Sequence, residues 1–101
     1  MKTLIVIGGS ASSKLSARLS RLLRCRLVRP ELKRFPDGEL YVRIKADLRR
    51  RHVVVVQSTP APQNDNLMEL LLLLHTSSEL GARKITAVVP YLAYARQDKR
   101  F

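Results

Sequence analysis

Residues 53–89 read VVVVQSTPAPQNDNLMELLLLLHTSSELGARKITAVV, and the order of patterns within them sets the fold class. Residues 53–56 are four valines with no polar alternation, the signature of a central parallel strand covered on both faces. Pro60 and Pro62 forbid its continuation. Asn66 with Glu69 three residues on has the spacing of a capping box, leucines run from there to Leu80, and Gly81 is a natural stop, so a helix is expected over 66–80. Residues 85–89 then read as a second buried strand ending at Pro90. Strand, helix, strand is a βαβ unit whose crossover should be right-handed, and the class is α/β.

Upstream, residues 3–7 are β-branched and apolar and end at Gly8-Gly9-Ser10, where a helical period takes over. Leu15, Leu19, Leu22 and Leu23 recur at i, i+4, i+7 and i+8, giving a helix over 12–24 with one apolar face, capped by Ser10 or Ser12. Lys14, Arg18 and Arg21 share another face, which reads as solvated. Residues 24–34 are rich in Arg around Pro30 and predict short strands and turns. Pro36-Asp37-Gly38 is a turn, after which Leu40, Val42 and Ile44 alternate with Tyr41 and Arg43 as in a strand. In the later helix, Leu67, Met68 and residues 70–74 cover nearly the whole circumference, wider than the roughly 100° stripe a surface helix needs. Another layer of the domain, a second domain or a second subunit must cover the extra face.

A chain of 101 residues makes one modest core, and 46% hydrophobic with 27% charged residues argues against disorder. No apolar run approaches the ~20 residues needed to span a bilayer, and Gly8-Gly9 cut off the N-terminal apolar stretch before a signal-peptide core can form. Cys25 is the only cysteine, which excludes an internal disulfide and suits a cytoplasmic location. The net charge of +11 is concentrated in residues 1–51, which hold 14 Lys or Arg against 4 Asp or Glu. Such a field attracts polyanions without choosing among them. A small basic nucleic-acid-binding or interaction module is therefore the rival reading, weakened because there are only five aromatics to interleave with the basic residues.

Gly8-Gly9-Ser10-Ala11-Ser12-Ser13-Lys14 invites a phosphate-loop reading, but Ser13 stands where a Walker A loop needs glycine, and G-x-G-x-x-G is absent. A tight strand–helix turn is the simpler alternative. His52 follows three arginines and His75 has no partner ligand at helical spacing, so no metal ligand is identifiable. Two segments are richer. Phe35-Pro36-Asp37-Gly38-Glu39 places a ring before two carboxylates on a turn, offering a stacking surface and acceptors that suit a purine; a hairpin-like turn with a half-buried ring fits equally well. Residues 91–100 leave the C-terminal end of a parallel strand, where open α/β sheets put their ligands. There Arg96, Lys99 and Arg100 can clamp a polyphosphate, with Gln97 adding hydrogen bonds.

Residues 35–44 (FPDGELYVRI), 57–71 (QSTPAPQNDNLMELL) and 85–100 (ITAVVPYLAYARQDKR) resemble three successive signature blocks of the ribose-phosphate pyrophosphokinases, in that family's order and spacing. The resemblance covers essentially the whole chain and is weakest over 14–34. It implies a three-layer α/β domain with a mostly parallel sheet, similar to type I phosphoribosyltransferases. It further implies diphosphoryl transfer from Mg-ATP to ribose 5-phosphate. Phe35 would stack on adenine, with Asp37, Gly38 and Glu39 forming its pocket across a subunit interface, and Arg96 and Gln97 would contact the ATP phosphates. Lys99 and Arg100 would be further phosphate contacts. The family's metal-binding histidine, aspartate-rich ribose-phosphate loop and catalytic lysine–arginine region have no counterpart here. The expectation is thus a single N-terminal domain, 1–101, ending inside the catalytic loop that starts near residue 94. Such a domain would be inactive alone, would meet ribose 5-phosphate only together with the missing C-terminal half, and would form a homo-oligomer. It would not engage a membrane and would bind nucleic acid only nonspecifically.

Overall fold

The computed structural model describes residues 3–95. In chain order the elements are β1 (Leu4–Gly8), α1 (Ser13–Leu23), β2 (Arg26–Val28), β3 (Glu31–Arg34), β4 (Leu40–Arg43), β5 (His52–Val56), α2 (Gln63–Glu79) and β6 (Lys84–Val88), with a 3-10 turn at Ser10–Ser12. Four strands form one parallel sheet in the order β2-β1-β5-β6, and β3 and β4 form a separate antiparallel hairpin. Two successive βαβ units therefore run outward in opposite directions from the β1–β5 pair. Their register sets Gly8 opposite Val56, so the C-terminal ends of β1 and β5 mark the point where the strand order reverses.

Each face of the sheet carries its own core, which makes the domain three-layered. Ile5, Ile7, Val53 and Val55 point to the α2 side, where Leu70, Leu73, Ile44 and Leu48 close over them. Val6, Val54 and Val56 face the other way, toward Leu19, Cys25 and Leu27. Every side chain from Val53 to Val56 is buried, as expected for a strand with neighbours on both edges and layers on both faces. β6 differs from expectation: it lies in the sheet but at its edge, so none of its side chains is fully buried.

The two helices depart from their sequence patterns for identifiable reasons. α1 does not bury the leucine face. Ser12, Ser16 and Ser20 face inward, while Leu15 and Leu23 are exposed and Leu22 is 80% exposed. Small serines allow the helix to approach β1 closely, and a Cβ on Gly8 would stand 2.5 Å from Ser16 Oγ. Two of the hydroxyls donate within the helix, Ser16 to the Ser13 carbonyl at 3.0 Å and Ser20 to the Ala17 carbonyl at 2.9 Å, so burying Ser16 and Ser20 leaves neither donor unmatched. Arg24 ends the helix in the left-handed region, φ +53°. α2 starts three residues before the capping-box position, at Gln63 after Pro62, and has no side-chain cap. Its C-terminus follows expectation. Gly81, at φ +89°, donates to the Ser78 carbonyl and Ala82 to the Ser77 carbonyl, the paired bonds of a Schellman stop. Among the described residues no helix is long and apolar enough to cross a membrane.

Candidate functional site

The residues between β3 and β4 form a hairpin turn held by three hydrogen bonds from its own backbone N–H groups. Phe35 N–H donates to the Glu39 carbonyl at 2.8 Å, Gly38 N–H to the Phe35 carbonyl at 2.9 Å, and Glu39 N–H to Asp37 Oδ1 at 3.0 Å. Gly38 has φ +96°, which a side chain would disfavour, and a Cβ there would meet only open space. The glycine is thus fixed by its backbone angle, not by crowding. One Asp37 oxygen is engaged in shaping the turn; Oδ2 and both Glu39 oxygens have no partner among the described residues.

All nine residues from Glu31 to Glu39 are exposed, Phe35 among them at 40%. The Phe35 ring meets Tyr41 edge-on at 6.1 Å between centroids, and Lys33 Nζ lies 5.8 Å from its centre. Arg34 ties the hairpin to the rest of the domain: Nη1 donates to the Gly38 carbonyl at 3.0 Å, and Nη2 pairs with Asp65 Oδ2 of α2 at 2.8 Å. Between hairpin and helix lies a hollow of ≈ 410 Å³ whose lining includes Gly38, Glu39, Asn64, Asp65 and Met68. Of the predicted pocket residues, Gly38 and Glu39 line this hollow, while Phe35 and Asp37 stand at the turn beside it.

The segment after β6 is fastened to the β5–α2 loop. Buried Thr59 receives the Ala93 N–H at 2.6 Å on its hydroxyl and donates to the Tyr91 carbonyl at 2.9 Å; Ser58 Oγ receives the Tyr91 N–H at 3.0 Å. Tyr94, left-handed at φ +70°, donates its hydroxyl to Asn64 Oδ1. The chain leading toward 96 is thereby held against the N-terminal turn of α2, at the same Asn64 that lines the hollow. Arg96, Gln97, Lys99 and Arg100 lie outside the described residues.

At the reversal point, the glycine–serine turn spends its backbone donors internally. Gly9 N–H goes to the Val56 carbonyl, Ser10 N–H to Glu69 Oε2 at 2.7 Å, Ala11 N–H to Gln57 Oε1 at 3.0 Å and Ser12 N–H to the Gly9 carbonyl. Ser10 Oγ donates to the other Glu69 oxygen at 2.5 Å, and Ser12 Oγ accepts from Ser58 N–H. An anion loop needs these donors free, so the turn is structural and neither serine caps α1 through its side chain. Buried Glu69, read in the sequence as half of a capping box, is instead the strut of this turn. Ser58, Thr59, Asn64, Asp65 and Glu69 were missed as site-building residues. The only sequence signal for them was their place in the 57–71 block.

The profile of the N-terminal domain of ribose phosphate pyrophosphokinase matches residues 4–101. The chain belongs to that family. It is 50% identical over 98 residues to the ribose-phosphate pyrophosphokinase of Saccharolobus solfataricus, covering 97% of this chain and 34% of that protein. It is likewise 50% identical to the enzyme of Methanobrevibacter smithii, over 96% of this chain and 32% of that protein. The crystal structure of phosphoribosylpyrophosphate synthetase from Mycobacterium smegmatis superposes with a TM-score of 0.90 at 34% identity, over 98% of this chain and 33% of that one. The purine phosphoribosyltransferase of Pyrococcus horikoshii, at 19% identity and a TM-score of 0.65 over 93% of this chain and 66% of that one, shares the fold. This chain spans about a third of the length of the ribose-phosphate pyrophosphokinases it matches.

Proposed function

We propose that this chain is the ATP-binding part of a ribose-phosphate pyrophosphokinase, cytoplasmic, and that alone it does not transfer diphosphate to ribose 5-phosphate. The observation that carries the reading is the turn: an exposed aromatic ring and two carboxylates on a backbone that is rigid by its own hydrogen bonds and pinned to α2 by Arg34 and Asp65. A ligand stacked on Phe35 would cost little ordering of that backbone. The two carboxylates accept hydrogen bonds from an exocyclic amine or from ribose hydroxyls. Arg96 and Gln97, following the segment fastened by Thr59 and Tyr94, take the phosphates, with Lys99 and Arg100 beside them.

Among the described residues no group of three or more His, Cys, Asp or Glu could hold a metal ion. In this reading a magnesium ion comes bound to the nucleotide phosphates, where it neutralises charge. The residues that would stabilise the transferring group, and those that hold ribose 5-phosphate, belong to the remaining two thirds of the family's length. In this reading the site is completed by a second copy, Phe35 of one chain meeting Arg96 of the other. The exposure of Phe35 and of Met68 and Leu71, the last 49% exposed on α2, supports a covering partner.

Titration with ATP, GTP, CTP and single-stranded RNA at increasing salt tests the proposal. ATP should be preferred over CTP by at least about tenfold, a preference lost in Phe35→Ala. RNA binding that falls steeply with salt, with no preference among nucleotides, would instead favour a basic nucleic-acid module.

A further inference from the structure

At the opposite end of the strands from the hairpin, where β1, β2 and β5 begin, lies a hollow of ≈ 450 Å³, within the ~300–1,000 Å³ of small-molecule sites. Its lining includes Arg21 and Arg24 from the end of α1, Arg26 from the start of β2 and Arg51 from the residue before β5. Leu4 and Cys25 also line it, and no Asp or Glu does. Among the described residues, Arg21, Arg24 and Arg26 form no ion pair. The C-terminus of α1 offers only about half a negative charge against the three guanidiniums of Arg21, Arg24 and Arg26. Burial pushes the Cys25 thiol up, against a hydrogen bond from the Val6 backbone, so it adds little negative charge to the hollow.

Arg24 sits at φ +53°, where glycine is favoured. Two backbone bonds close the helix end there, Cys25 N–H to the Ser20 carbonyl at 3.0 Å and Arg24 N–H to the Arg21 carbonyl at 3.2 Å. The fold needs the backbone angle and not the guanidinium.

We propose that this arginine-lined hollow binds a small oligophosphate, either free or as the phosphate tail of a nucleotide. The three guanidiniums of Arg21, Arg24 and Arg26 exceed what one phosphate group neutralises, so two or more phosphates fit the charge, and planar donors suit bidentate phosphate contacts. The lining holds no aromatic ring on which the bases of a nucleic-acid strand would stack.

Cys25, the only cysteine, is a reporter inside the hollow. Its alkylation by iodoacetamide, followed by mass spectrometry, is measured with tripolyphosphate, ATP or AMP present. Tripolyphosphate and ATP should slow alkylation by about tenfold at saturation, and AMP should need at least about tenfold higher concentration for the same effect. Equal midpoints for tripolyphosphate and ATP are the expected result and identify the phosphate chain as the recognised part; protection by ATP alone would overturn the oligophosphate assignment. Arg26→Gln and Arg24→Gly should lose the protection, with the Arg24→Gly unfolding midpoint no lower than that of the parent protein. Arg18→Gln, exposed elsewhere on α1, and Phe35→Ala should keep it. Protection that survives Arg24→Gly and Arg26→Gln, or that Arg18→Gln abolishes equally, would overturn the site in favour of a diffuse charge effect.

Discussion

β5 buries every side chain from Val53 to Val56, whereas every residue of the hairpin from Glu31 to Glu39 is exposed. The two regions owe their shape to different forces. The sheet is held by apolar packing on both faces, so its geometry is shared among many side chains. The hairpin tip is held by backbone bonds, one positive-φ glycine and the Arg34–Asp65 pair, so its outward-facing groups are free to meet a ligand. Substitutions in the first region should therefore move stability, and substitutions in the second should move binding with stability nearly unchanged.

The largest expected effect is in the α2-side core. Leu73, fully buried, should lose about 2–5 kcal/mol as Leu73→Ala in denaturant unfolding. A loss below about 1 kcal/mol would mean that the layer is loosely packed and would blur the contrast with the hairpin. Next is the glycine–serine turn. A Cβ on Gly9 would stand 2.1 Å from Gln57 Oε1, so Gly9→Ala must displace the buried Gln57 that holds Ala11 N–H. It should cost about 1–3 kcal/mol.

The hairpin anchor should be weaker. Both partners of Arg34–Asp65 are nearly half-exposed, and a double-mutant cycle should return no more than about 1 kcal/mol of coupling. A larger value would show that the hairpin is held more rigidly than its exposure implies. Ser77 sharpens the comparison from the core side. Its buried hydroxyl has no partner among the described residues, so Ser77→Ala should be neutral or stabilise by up to about 1 kcal/mol.

Much of the sheet could be read from residue patterns because burial on both faces leaves a direct record: four valines for β5 and an apolar run for β1. Gly81 announced the end of α2 through a backbone angle that only glycine adopts readily. What could not be read were features fixed by tertiary partners. In α1 three leucines of the period, Leu15, Leu22 and Leu23, point outward, because close approach to Gly8 favours serines at the interface and intrahelical bonds satisfy the hydroxyls of Ser16 and Ser20. Asn66 and Glu69 had the spacing of a cap, but Pro62 starts the helix earlier and Glu69 reaches a turn 59 residues away in sequence. An edge position lowers the burial of β6 without altering its composition. For the proposed site, Phe35, Asp37, Gly38 and Glu39 were legible as a turn, and their hairpin geometry follows that local motif. The fastenings at Thr59 and Asn64 were not, since each depends on a partner about thirty residues away.

The smallest effect concerns Asp47, another exposed charged group. The Arg49 side-chain hydrogen bond, helped by its backbone N–H, lowers the Asp47 carboxyl to about 2 from 3.8. A depressed folded-state value means its contribution is complete above the unfolded value near 3.8 and disappears as pH falls toward 2. Exposure of both Asp47 and Arg49 to solvent keeps the contribution slight. A carboxyl-carbon NMR titration should show a midpoint near 2 that returns toward 3.8 in Arg49→Ala.

Photo-crosslinking with 8-azido-ATP, followed by mapping of the modified peptide, tests the nucleotide-site reading most directly. The account predicts adducts within residues 35–40, competed by ATP at least about tenfold more effectively than by CTP and lost in Phe35→Ala. Adducts confined to residues 9–15, or labelling of residues 35–40 that CTP and ATP suppress equally, would contradict it.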